Sequence, residues 1–259
     1  VQFAPTADSR DNLRRIRSYA AKAAGAGARI VVFPEYSSYF TNPLDASMAE
    51  HAEPLDGPFV AGLRQIAREA EVHLVVGIVE RVDGDARFSN TLVAVDPQGE
   101  IEATYRKQHL YDAFGQKESD WVIPGALGQT QTFTVEGVVV GLQTCYDIRF
   151  PEVSRTLADA GVGLILVPAE WVAGPNKVLA WRTLLAARAI ENTAYVAAAD
   201  HTPPIGVGNS VILDPQGLVL AERISDEGIE TAVISPDEIE AVRMRNPSLA
   251  LRRYGVRPV

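Results

Sequence analysis

The tetrapeptide Asp96-Pro97-Gln98-Gly99 recurs as Asp214-Pro215-Gln216-Gly217, and the segments around the two copies recur with it. Each copy follows a run opening with Asn and a hydroxyl residue, Asn90-Thr91 and Asn209-Ser210, and precedes another strand-like run. Proline fixes φ and glycine accepts positive φ, so each copy reads as a hairpin turn. Upstream, Val32-Phe33-Pro34-Glu35 is echoed by Leu166-Val167-Pro168-Ala169-Glu170. Val1-Gln2-Phe3 leads into a helical pattern as Leu142-Gln143-Thr144 does. Matched features in one order imply two similar halves, each a strand–helix–strand–helix–strand–hairpin unit.

Periodicity fills in that unit. Short apolar runs at 30–33, 73–79, 138–142, 163–167 and 195–199 suit strands covered by helices. Leu13, Ile16, Ala20 and Ala23 share one helical face, and Phe59, Leu63, Ile66 and Ala70 share another behind Pro58. Pro151, Val153, Leu157 and Ala160 mark a third helix, and residues 178–190 a fourth. The expected class is α/β, an α-β-β-α sandwich of two pseudo-symmetric halves, because sheets packed face to face under outer helices bury both sets of strands. No linker-like stretch separates the halves, so residues 1–259 read as a single domain.

Charge and composition narrow the partners. A formal net charge of -9, spread along the chain, disfavours nucleic acid and anionic membranes, which reward basic surface. Hydrophobic residues at 47% and charged residues at 22% fit a soluble globular protein, and no apolar run approaches a membrane span. The one cysteine, Cys145, rules out an intramolecular disulfide and fits a reducing, cytoplasmic setting. The chain starts at Val1 rather than Met, within a strand-like run that lacks the pattern of a secretory leader. A few native residues are expected ahead of it.

Glu35, Lys107, Cys145 and Glu170 each follow the end of an expected strand. Ligands collect beyond the carboxyl ends of strands in such sheets, so the four are expected to converge. Singly, each has an ordinary reading: a buried apolar thiol, or solvated turn and hairpin residues. Yet Ile101, Ala103 and Tyr105 alternate with Glu102, Thr104 and Arg106, which puts Lys107 on the inward face. A lysine there is costly without a partner.

The segment Gly141-Leu142-Gln143-Thr144-Cys145-Tyr146-Asp147-Ile148-Arg149-Phe150-Pro151-Glu152 closely resembles the nucleophile motif of the nitrilase superfamily, the carbon–nitrogen hydrolases. Phe33-Pro34-Glu35 is similar to that family's catalytic-glutamate motif, and Tyr105-Arg106-Lys107-Gln108-His109-Leu110-Tyr111-Asp112 to its lysine motif. Glu118-Ser119, ahead of Pro124-Gly125, resembles the segment carrying a second glutamate. The likeness continues through Ala187-Arg188-Ala189-Ile190-Glu191-Asn192 to Arg252-Arg253-Tyr254.

The resemblance implies a nitrilase-like fold, a homodimer or larger assembly, and no metal or organic cofactor. None of His51, His73, His109 and His201 has metal-ligand spacing. It implies that Cys145 is the nucleophile, Glu35 the general base and Lys107 the oxyanion partner together with the backbone N–H of Tyr146. Glu118 is implied in support of Lys107. Asp147 and Arg149 are expected to form an ion pair bracing the nucleophile turn, with substrate contact as the alternative. Glu170 and Trp171 are expected to line the acyl side of the pocket, Trp171 as a flat wall and Glu170 as a negative charge that disfavours anionic acyl groups. Otherwise Glu170 pairs with Lys177 or Arg182.

The expected reaction is hydrolysis of a small amide through a thioester, with release of ammonia or amine. Tyr-Asp-x-Arg-Phe-Pro-Glu after the cysteine looks more like the amidase-type branches than true nitrilases. Two alternatives stand beside it: hydrolysis of an N-carbamoyl amine, and a non-catalytic binding or scaffold protein on the same fold. Gly25-Ala26-Gly27 follows a helix rather than a strand, so it is not read as a dinucleotide loop.

Overall fold

The two hairpin turns repeat each other bond for bond. In a computed structural model that describes residues 1–128 and 130–259, the Asp96 carboxylate accepts from Gln98 N at 2.9 Å and Glu100 N at 2.7 Å. The Asp214 carboxylate accepts from Gln216 N and Leu218 N, both at 2.8 Å. Gly99 and Gly217 close the turns at φ 80° and 82°, a region that only glycine enters without strain.

The first half comprises α1 (Ser9–Gly25), β1 (Ile30–Val32), α2 (Ala46–Glu50), α3 (Pro58–Ala70), β2 (His73–Arg81), β3 (Phe88–Val95) and β4 (Ile101–Arg106). The second comprises β5 (Thr132–Val135), β6 (Val138–Leu142), α4 (Pro151–Asp159), β7 (Leu164–Pro168), α5 (Lys177–Asn192), β8 (Tyr195–Ala199), β9 (Ser210–Leu213) and β10 (Val219–Arg223), followed by α6 (Pro236–Arg245). One sheet has the order β1-β2-β3-β4 and the other β10-β9-β8-β7-β6-β5. The pairs β1–β2 and β7–β8 are parallel, and β2–β3–β4 and β8–β9–β10 continue antiparallel. The duplication read from the sequence is therefore a duplication of topology.

Periodicity also sets the layers. Along β2, Leu74, Val76 and Ile78 point outward to Ile16 and Ala20 of α1 and Leu63 and Ile66 of α3. Val75 points the other way, and with Leu92, Ala94 and Tyr105 it meets Val140, Leu142, Leu164 and Leu166 of the second sheet. Trp181, Leu185 and Ala189 of α5 cover the far side. Pro58 opens α3 and the Asp8 side chain caps α1, as the start signals require. Leu63 is fully buried, so Leu63→Ala costs about 2–5 kcal/mol.

The first half departs from the expected unit at its start. Val1-Gln2-Phe3 makes a single bridge, Gln2 to Gly228, because its neighbour is an irregular segment rather than a strand. Among the described residues, no helix is long and apolar enough to cross a membrane.

Candidate active site

Four segments leave the same end of the two sheets and meet. Phe33-Pro34-Glu35 runs on from β1 alongside β2, held by Phe33 N to Val75 O at 2.8 Å and Gly77 N to Pro34 O at 3.3 Å. Lys107 follows β4 and is fixed on both sides, its N–H donating to Asn90 O and its carbonyl accepting from Gly125 N. Cys145 opens a short helical turn, Cys145–Arg149, after β6, and Glu170 follows β7. Glu35, Lys107, Glu118, Cys145, Tyr146, Glu170 and Trp171 all line one cavity of about 220 Å³.

The alternation that turned Lys107 inward holds: its side chain is 2% exposed. Its ammonium donates to Glu35 Oε1 at 2.9 Å and to Glu118 Oε1 at 3.0 Å. Asn90 Nδ2 bridges the same carboxylates, at 2.5 Å and 3.2 Å. Glu35 Oε2 accepts from the Glu170 N–H at 2.6 Å, so the second half helps to hold the first half's carboxylate. Glu118 also accepts from the Tyr36 hydroxyl and the Tyr111 N–H, both at 2.6 Å. An ammonium between two carboxylates, each tied by further donors, is a rigid and closely hydrogen-bonded arrangement.

Cys145 is buried and sits at φ 44°, a strained value for a residue with a Cβ. Its thiol lies 3.4 Å from Glu170 O. Burial, then the nearby Glu35 carboxylate, push the thiol well above its ordinary range, while Lys107 opposes them. Burial likewise raises Glu35, against the pull of Lys107. A resting thiol beside a carboxyl of raised basicity suits proton transfer during attack rather than a standing thiolate.

The remaining expectations are partly redrawn. Asp147 and Arg149 form no ion pair. Asp147 is fully buried and accepts from the Tyr105 hydroxyl at 2.7 Å, His109 N at 3.0 Å, His109 Nδ1 at 2.9 Å and Thr144 N at 3.2 Å. Tyr105 and His109 come from β4 and the segment after it, a contact across the sheets that adjacency in the motif concealed, while Thr144 belongs to the turn itself. Arg149 turns instead toward aromatic faces, 5.0 Å above the Trp171 ring.

Trp171 is a buried wall, anchored by its Nε1 donating to Lys177 O at 3.0 Å. Glu170 pairs with neither Lys177 nor Arg182; Arg182 binds Glu222. Burial, then Glu35 and Asp200, raise the Glu170 carboxyl well above the usual carboxylate range, which favours its neutral form. That direction weakens the repelling negative charge expected there. Sequence reading missed Asn90 and His201, whose Nε2 lies 2.8 Å from Glu35 O. Asn90 had one signal, its place in the repeated Asn-hydroxyl pair. Among the described residues, no three His, Cys, Asp or Glu side chains form a metal-binding group.

Residues 1–244 match the carbon–nitrogen hydrolase family. A hydrolase of Mycobacterium tuberculosis is 39% identical over 95% of this chain and 91% of its own length. The deaminated glutathione amidase of Escherichia coli O157:H7 is 36% identical over 98% of this chain and 95% of its own. In the crystal structure of XC1258, a CN-hydrolase superfamily protein from Xanthomonas campestris, the likeness has a TM-score of 0.87 at 26% identity, covering 99% of this chain and 96% of that one.

Proposed function

The chain belongs to the carbon–nitrogen hydrolase family, and from that premise we propose that it hydrolyses the C–N bond of a small linear amide through a thioester on Cys145. The observation that carries this reading is the buried Lys107 ammonium, bonded to Glu35 and Glu118 in the cavity that also holds the Cys145 thiol.

In this mechanism Sγ of Cys145 attacks the amide carbon as Glu35 takes the thiol proton. The carbonyl π electrons move onto oxygen, and the resulting oxyanion is met by the Lys107 ammonium and the Tyr146 N–H. Such donors are worth about 3–4 kcal/mol each in the transition state. Collapse breaks the C–N bond, and Glu35 returns the proton to the departing nitrogen. Water then attacks the thioester, Glu35 removes its proton, and the second collapse releases carboxylic acid and restores the thiol. Glu118 keeps Lys107 in place throughout. We further propose a homodimer or larger assembly, supported by the exposed apolar Leu179 and Ile190 on α5.

The test is an ammonia-release screen over small amides, ω-amides and N-carbamoyl amines, with Cys145→Ala as control. Mass spectrometry of the quenched reaction should find an acyl group on Cys145. Turnover of N-carbamoyl amines alone would reassign the substrate, and turnover surviving in Cys145→Ala would exclude the thioester.

A further inference from the structure

Asp200 is the residue that follows β8, and it is fully buried. Strands β7 and β8 pair in parallel as far as Pro168 and Ala199, and Ala169 N adds one more rung to Ala199 O at 2.8 Å. Such rungs repeat at every second residue, so the next would run from Trp171 N to the His201 carbonyl. Gly208 N takes that carbonyl at 3.0 Å, and Trp171 N donates instead to Asp200 Oδ1 at 2.7 Å. A side chain has replaced the strand where the backbone turns away. Its other oxygen accepts from Val207 N at 3.0 Å, and a Cβ on Gly206 would stand 2.9 Å from Oδ2. With donors on both oxygens and backbone packed beside one, the carboxyl has little room to swing.

The bond to Trp171 N reaches the reacting groups through planar peptides. The N–H of Trp171 and the carbonyl of Glu170 belong to one peptide unit. That carbonyl is the group 3.4 Å from Cys145 Sγ. Successive N–H groups point to opposite sides of an extended strand, so Glu170 N, between the two rungs, faces away from β8 and meets Glu35 Oε2 at 2.6 Å. Residue 170 thus offers its carbonyl to the thiol and its N–H to the carboxylate, and the rungs at Ala169 and Trp171 fix both directions. A hydrogen bond on the N–H side also polarises the carbonyl and makes it a better acceptor. The Trp171 indole has its own anchor, Nε1 to Lys177 O at 3.0 Å, so the cavity wall does not depend on Asp200.

We propose that Asp200 is a positioning residue: through the Glu170–Trp171 peptide it holds the Cys145 thiol and the Glu35 carboxylate in register for proton transfer. Its effect on turnover rests on the thioester mechanism above; its effect on the thiol does not.

Cys145 is the one cysteine of the chain, so the infrared S–H stretch has a single source, identified by its loss in Cys145→Ala. A hydrogen-bonded S–H absorbs at lower frequency than a free one. In Asp200→Ala the band should therefore move to higher frequency, and in Asp200→Asn, which keeps one acceptor, it should fall between. Kinetics on the amide turned over fastest in the ammonia-release screen should show kcat lower by about 10- to 100-fold in Asp200→Ala, with a smaller fall in Asp200→Asn and KM nearly unchanged in both. Leu63→Ala, which loosens the outer helical layer away from the cavity, should lower the melting temperature yet leave the band and kcat in place. An unmoved S–H band in Asp200→Ala, or a loss of kcat no larger than in Leu63→Ala, overturns the proposal. If Asp200→Ala does not fold, Asp200→Asn decides by the same two readings. A shifted band in a protein that hydrolyses no amide supports the positioning role and counts against the amidase reading alone.

Discussion

Gly77 of β2 lies so close beneath Glu35 that a Cβ on it would stand 2.6 Å from Glu35 Cα and 2.8 Å from Tyr36 N. Both atoms are backbone, so no side-chain rotation relieves the clash. Gly77→Ala should shift Glu35 away from Lys107 and Cys145. The expected result is a fall in kcat on the order of 100-fold, since small misplacements of a reacting group are amplified in rate. Steady-state kinetics on any amide substrate from the screen checks this; unchanged kcat would mean that the Glu35 backbone tolerates displacement.

Cys145→Ala, Glu35→Gln and Lys107→Ala should each abolish nearly all turnover, and a double variant should lose little more than a single one. Their stabilities should differ. Cys145→Ala removes one sulfur, whereas Lys107→Ala leaves Glu35 and Glu118 facing each other unpaired in a buried site. Urea melts should show a loss of about 3–5 kcal/mol for Lys107→Ala and much less for Cys145→Ala.

Asp147→Asn replaces a carboxylate that meets four donors with an amide that can accept at one atom only. Stability should drop by about 3 kcal/mol, and kcat should fall because Thr144 and Cys145 lose their anchor. Arg149→Gln, in contrast, should leave the turn's stability nearly unchanged. Equal destabilisation by the two would restore the ion pair that the structure lacks.

His201 is fully buried, and burial lowers its pKa from the ordinary 6.5 to about 4. The unfolded chain therefore binds a proton between these values that the folded chain refuses. The stability is present in full above pH 6.5 and is lost as pH falls toward 4, by about 3 kcal/mol from this group. Melts across that window in wild type and His201→Gln should show the slope flattening in the variant. An unchanged slope would assign the acid sensitivity to other groups.

Sedimentation at micromolar concentration should give a dimer or larger species. Leu179→Glu and Ile190→Glu, on the exposed face of α5, should weaken it. A fully active wild-type monomer would remove the assembly proposal.

Much of this architecture was legible because it is written in local chemistry. Proline and glycine at fixed offsets announced both hairpins, and the alternation through Tyr105 turned Lys107 inward. What stayed hidden depends on distance in space. Asp147 and Arg149 are two residues apart, yet one binds His109 and Tyr105 and the other faces Trp171 and Phe114. Sequence spacing cannot say that Lys177 meets Tyr111, sixty-six positions away. The position of Glu170 beside the cavity was readable, but the upward shift of its carboxyl comes from burial and then from Glu35 and Asp200, which only folding brings near.

The bond from Glu170 N to Glu35 Oε2 joins residues separated by 135 positions, and Lys107 reaches Glu35 across 72. The groups proposed for catalysis are thus divided between the two copies of the duplicated unit: Glu35, Lys107 and Glu118 in one, Cys145 and Tyr146 in the other. Either copy can regain its own hairpins and helices through short-range contacts, but neither holds both base and thiol. Contacts of such separation close late when a chain refolds. In a refolding time course, helical circular dichroism should therefore recover first and amide turnover last, making enzyme activity a clock for the moment when the halves dock.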